Sequence, residues 1–212
     1  TSNFYNIPST NGEIETTDGI IYGLSTGNYM LGRYQREELQ TWKTPHEYKI
    51  LFEKRSEGNE FYKYVTSYGL QAKIFGNLVK NYNLKLNQLH VINSFIFSIL
   101  IASFAILLQK NFSFVPSFIF ALAICTSPWV IAHGKDIRWI TWSWYLPVWI
   151  IMFINYYFDL KKIKIFLICL LLVFLSVLLR CLFGYEYIST IISITFVSFS
   201  FLILKKKIFF IK

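Results

Sequence analysis

The stretch AHGKDIRWITWSWYLP, residues 132–147, places His133, Lys135, Asp136 and Arg138 directly ahead of Trp139, Trp142, Trp144 and Tyr145. A second stretch, RCLFGYEYIST (180–190), holds Arg180, Tyr185 and Glu186. A third, EIETTDGIIYG (13–23), holds Glu13, Glu15 and Asp18. These residue types suit one kind of chemistry. Guanidinium groups grip a phosphate or pyrophosphate through paired donors of fixed geometry, and a carboxylate nearby takes a proton from an attacking hydroxyl. Flat aromatic faces give sugar rings a surface to pack on. Taken singly, each residue has a plainer use. Lys135, Arg138 and Arg180 would anchor helix ends by snorkelling, the tryptophans would form an interfacial belt, and Asp136 would cap a helix.

The elements that must position these groups are apolar. The chain has 212 residues, 54% of them hydrophobic and 19% aromatic, with a net charge of +9. The apolar residues concentrate after residue 88. Residues 91–108, 112–131, 139–158, 163–179 and 187–204 each form a run with the length and composition of a membrane-spanning helix. The sequence therefore predicts an all-α polytopic membrane protein with about five transmembrane helices. These follow a mostly helical extracytoplasmic segment, with the domain boundary between 1–88 and 89–212. Pro147 lies inside the third run and predicts a kink there, because it removes a backbone hydrogen bond to Ser143.

The basic residues gather at span ends, which points to membrane lipid and not to nucleic acid. Lys110, the three lysines of 159–164 and the four of 205–212 fall on one side of the predicted spans; Lys135, Arg138 and Arg180 fall on the other. Eight against three predicts a cytoplasmic lysine-rich side and an extracytoplasmic face for residues 1–88, HGKDIR and RCLFGYE. Lys73, Lys80 and Lys85 work against that bias. Translocating so long a front segment calls for a span or signal upstream of residue 1. Cys125, Cys169 and Cys181 have no metal-ligand spacing, and an odd number gives no disulfide framework. His46, His90 and His133 are scattered, and no phosphate-loop, dinucleotide, HExxH or GxSxG motif is present.

Within the front segment, residues 1–29 are rich in Ser, Thr, Asn and Gly and read as loop. Residues 69–82 read as an amphipathic helix with Ile74, Phe75, Leu78, Val79 and Tyr82 on one face. Such a helix packs either on its own domain or on the membrane surface.

An acid in a long outer loop (Asp18), amphipathic stretches in that loop (YVTSYGLQAKIFGNLVKNY) and short outer loops with Arg and aromatics occur together in this sequence. In these features the chain resembles the GT-C class of multi-spanning glycosyltransferases, which use polyprenyl-phosphate-linked sugars at the outer membrane face. The last two loops are also similar to segments of membrane proteins found with bacterial surface-polysaccharide genes. ETTDG departs from the acidic pair of the class, since Glu15 and Asp18 are three apart. The resemblance implies sugar transfer from a polyprenyl-phosphate donor to a glycan acceptor in a bacterial plasma membrane. It implies Asp18 and Asp136 as catalytic acids, and Lys135, Arg138 and Arg180 as holders of the lipid phosphate. Trp139, Trp142, Tyr185 and Glu186 would then line the sugar or acceptor side. Some members of the class use a divalent metal and others none, which leaves the cofactor open. Two other readings use the same residues: a transporter, flippase or polymerase of lipid-linked glycans, and a structural membrane subunit. The first of these calls for ionisable groups deep within spans, and the runs here carry only Asn93 and Asn155 near their ends.

Overall fold

The structure is a computed structural model that describes residues 11–35, 45–64, 67–158, 160, 162–184 and 187–206. It is mostly helical. Helices α1 (Asn11–Thr26), α2 (Pro45–Glu53) and α3 (Leu70–Tyr82) are interleaved with strands β1 (Gly32–Gln35) and β2 (Glu60–Lys63). Helices α4 (Leu86–Asn111), α5 (Phe114–Thr126), α6 (Pro128–Lys135), α7 (Trp142–Tyr157), α8 (Ile163–Phe183) and α9 (Ile188–Lys206) follow. The described residues fall into two compact units. The first draws on 1–96, 128–140 and 182–184, and the second on 97–127, 141–181 and 185–212. The division is finer than a single boundary at residue 88, because the start of α4 and the 128–140 stretch fold with the front segment.

In the first unit, α1 is the hub and packs on α2, α3 and β1. Residues 11–26 are helical where composition predicts a loop. The physical reason is burial. Ile14, Thr16, Thr17, Asp18, Ile20 and Ile21 are all buried, so the helix is supported from nearly every side and shows no polar face for a sequence pattern to reveal. Thr17 donates back to the Ile14 carbonyl at 2.9 Å, which satisfies its hydroxyl inside the helix. Gly27, at φ 78°, then turns the chain out of α1. The strands β1 and β2 pair antiparallel, Gly32 opposite Lys63 and Gln35 opposite Glu60. Tyr22 stacks on Phe61 at 4.1 Å between centroids, which ties the hairpin to α1.

Helix α3 forms where its amphipathic pattern predicts, but its buried stripe differs. Gln71, Ala72, Phe75, Gly76 and Val79 face inward, while Ile74 and Tyr82 are 42% and 69% exposed. Small residues explain the rotation. The Tyr29 ring lies between Gly23 and Gly76, and a Cβ on either glycine would come within 2.2 Å of it. Glycines, rather than the largest apolar side chains, thus line the inner stripe where the Tyr29 ring sits.

Helices α4 and α8 are long and apolar enough to cross a membrane; α5 with α6, broken at Ser127, qualifies only as one span. Helix α7, with 16 residues, is shorter than such a span, and α9 is apolar over Ile188–Phe201 among the described residues; by length and composition the described residues hold two such helices, or three if α5 and α6 make one bent span. The third apolar run loses its first residues to turns: Ile140 has φ 46°, outside helical space. Helix α7 is continuous through Pro147. Val91, Phe95, Ile99 and Ile106 on α4, and Leu167, Leu171, Phe174 and Leu178 on α8, are exposed at helical spacing, as lipid-facing stripes should be.

Polar clasps join α4 to α7. The Trp149 indole donates to Ser103 Oγ at 2.9 Å, Asn155 donates to Asn111, and Asn111 donates to the Met152 carbonyl at 3.2 Å. In hydrocarbon such bonds hold helices together at about 0.6–2 kcal/mol each. Replacing Asn111 by Leu is expected to cost about 1–2 kcal/mol, since it removes two of these ties. Unfolding of the purified protein in mixed micelles should register the loss, and a loss no larger than that of Ser198→Leu on α9 would contradict the assignment.

Candidate functional site

Five of the residues singled out for chemistry, Asp18, Lys135, Asp136, Arg138 and Trp139, belong to the first unit. Asp136 Oδ1 accepts the Arg138 backbone N–H at 2.7 Å, an Asx turn that reverses the chain after α6. Two neutral side chains fix this turn from outside. Asn93 of α4 donates to the carbonyls of Asp136 and Gly134 at 2.9 and 3.3 Å, and Gln71 of α3 donates to the Arg138 carbonyl at 3.3 Å. Asn93 is fully buried, and its amide sits in an otherwise apolar helix because it carries the loop carbonyls. Ile137 and Ile140 beside it are buried as well. A β-branched residue in left-handed space costs about 1–3 kcal/mol, and the packed surroundings of Ile140 hold it there.

The turn delivers the Arg138 guanidinium to α1. It pairs with Glu15, 123 residues away in the chain, and lies 5.1 Å from the Tyr64 ring centre and 5.9 Å from that of Trp139. The other Glu15 oxygen is 3.7 Å from Arg33 Nε of β1. One carboxylate thus bridges two arginines, one buried and one half-exposed. Asp18 lies one turn further along α1. It is 2% exposed, and its Oδ2 accepts the Tyr34 N–H at 3.0 Å. Glu13 pairs with His90 of α4. Three acids of α1 therefore engage β1, α4 and the 136–140 turn.

Of the residues predicted from sequence, Asp18, Lys135, Asp136, Arg138 and Trp139 belong to this unit. Lys135 and Trp139 are half-buried. The Trp139 ring meets His133 edge-on at 5.8 Å, and the Trp129 ring lies tilted against His133 at 4.3 Å, which makes an aromatic row beside Arg138. Arg180 and Trp142 belong to the second unit. There Arg180, 1% exposed, lies 5.6 Å from the Trp144 ring, which in turn packs on Tyr187 at 4.9 Å. Tyr185 and Glu186 lie outside the described residues. Sequence alone does not reveal Glu15 as the shared partner of Arg138 and Arg33. Glu15 was visible as the second acid of ETTDG, but only a helical α1 reveals that Glu15 and Asp18 share a face.

Among the described residues no group of three or more His, Cys, Asp or Glu is arranged to hold a metal ion. The neighbouring acids are instead turned to arginine, histidine and backbone donors. This arrangement suits recognition of an anion: a phosphate approaching Arg138 and Arg33 would exchange with Glu15 for charge-assisted donors. No family model, no curated protein and no solved structure matches the chain.

Proposed function

We propose that the chain is part of a membrane glycosyltransferase that moves a sugar from a polyprenyl-phosphate donor to a glycan, lipid or protein hydroxyl. It would act at the extracytoplasmic face of a bacterial plasma membrane, with the five apolar runs as its spans. The observation that carries this reading is the ion pair between Arg138 and Glu15, which draws the HGKDIR turn onto the acidic helix that bears Asp18. In the reaction, the acceptor oxygen attacks the anomeric carbon and the bond from that carbon to the phosphate oxygen breaks. The acceptor proton passes to Asp18, and the phosphate leaves on the polyprenyl chain. Arg138 stabilises the charge gathering on the leaving phosphate, Lys135 adds to it, and Arg33 joins them. Trp139 offers the sugar a flat face. Asp136 acts at one remove by folding the turn that aims Arg138.

Orientation is tested by labelling. Single cysteines replace Glu57 and Lys135 in a protein whose Cys125, Cys169 and Cys181 are alanine, and intact cells are treated with a membrane-impermeant thiol reagent. Both positions are expected to label from outside. Labelling of both only after lysis would put the site on the cytoplasmic side and remove the donor class proposed.

A further inference from the structure

Helix α3 has two apolar faces, and among the described residues one is buried while the other is half-buried or exposed. Its inner stripe packs on α1. Its outer side carries Leu70, Ile74, Leu78 and Tyr82 at spacings of four, half-buried or exposed, with Asn77 and Asn81 alongside. Tyr68, 53% exposed, extends the strip at its start, and Lys73 Nζ sits 4.1 Å above its ring. Three residues, Asn83 to Lys85, separate this helix from α4. They reach about 10 Å at most, so the C-terminal end of α3 is held at the mouth of a membrane span. Helix α4, with 26 residues, is about 39 Å long against a hydrocarbon core of about 30 Å, which leaves its first turns at headgroup level. Charge agrees. From Phe61 to Lys135 the chain has no Asp or Glu, and Lys63, Lys73, Lys80 and Lys85 all precede α4.

We propose that the outer strip of α3 lies in the headgroup layer of an anionic bilayer, with Ile74, Leu78 and Tyr82 dipping to the acyl boundary and Lys73, Lys80 and Lys85 on lipid phosphates. Burial of such a strip ties this face of the first unit to the membrane surface, because its inner stripe is locked to α1. Lipid is the occupant, not a protein, because the strip is narrow, flanked by lysine and asparagine, and tethered to the span itself. The proposal is independent of the sugar-transfer reading.

The test places the environment-sensitive fluorophore NBD on single cysteines at Ile74, at Leu78 and, for comparison, at exposed Glu57. The background is the protein with its native cysteines replaced, reconstituted in phosphatidylcholine vesicles with one quarter phosphatidylglycerol. Nitroxide-labelled phospholipid is expected to quench the probes at 74 and 78 about two- to fivefold more than at 57, and iodide in the water to quench them less. Equal quenching at all three sites overturns the proposal. So does a probe at 74 and 78 shielded from both quenchers, since protein rather than lipid would then cover the strip.

Discussion

Replacing Arg138 by Gln is expected to cost about 2–4 kcal/mol of stability and to remove most activity. Arg138 is nearly sealed and its partner Glu15 largely so; deleting Arg138 leaves Glu15 charged with only the half-exposed Arg33 at 3.7 Å to offset it, and that penalty exceeds the net worth of the pair. A second variant separates fold from function. Changing Arg138 to Met together with Glu15 to Leu takes away both charges, so most of the lost stability should return. Sugar transfer should not return, because the guanidinium that meets the leaving phosphate is still missing. Thermal unfolding of both variants beside an assay of lipid-linked sugar turnover checks this. Recovery of turnover in the double variant would make Arg138 a purely structural residue.

The second large effect concerns Gly19. A Cβ at this position would stand 1.8 Å from the Met30 carbonyl oxygen and 2.9 Å from its carbon. Both are backbone atoms, so no rotamer change relieves the clash, and α1 must move away from the chain entering β1. The adjacent Asp18 would then lose its 3.0 Å bond to the Tyr34 N–H. Gly19→Ala is accordingly expected to cost about 3 kcal/mol or more. Gly27→Ala provides the contrast. Nothing lies within 4 Å of its Cβ position, so only its left-handed φ of 78° is penalised, about 1–2 kcal/mol. Comparable losses from the two substitutions would show that α1 and the start of β1 are less closely packed than described.

These two residues also show how far the sequence could be read. Asp18 and Gly19 look like a turn in a Ser- and Thr-rich stretch, yet Gly19 is the point where a buried helix meets another backbone. A helix surrounded on all sides has no polar face, so periodicity gives no sign of it. Helix α3 was legible as a helix from its alternation, but its inner stripe was not. Gly76 and Gly23 are invisible to a hydrophobic pattern, and the slot they make for Tyr29 decides which face turns inward. Lipid-exposed spans were legible because α4 and α8 are apolar along their length. The run at 139–158 gave a shorter helix than its composition suggests, because Ile140 is spent on a turn. At the site, Arg138 and the acidic helix were both visible as chemistry. Their meeting was not, since it depends on Asn93 and Gln71 holding a turn far along the chain from α1.

The most direct test of sugar transfer replaces Asp18 by Asn in the intact gene. Asparagine keeps a carbonyl oxygen for the Tyr34 N–H and so preserves the anchor on β1, while it removes the base. The variant should be made at normal level with an unchanged melting temperature. Polyprenyl-phosphate-linked sugar should accumulate in lipid extracts, the surface glycan should lose one sugar, and turnover should fall about 100- to 10,000-fold. Normal lipid intermediates and a normal glycan in cells that carry this variant would contradict the account.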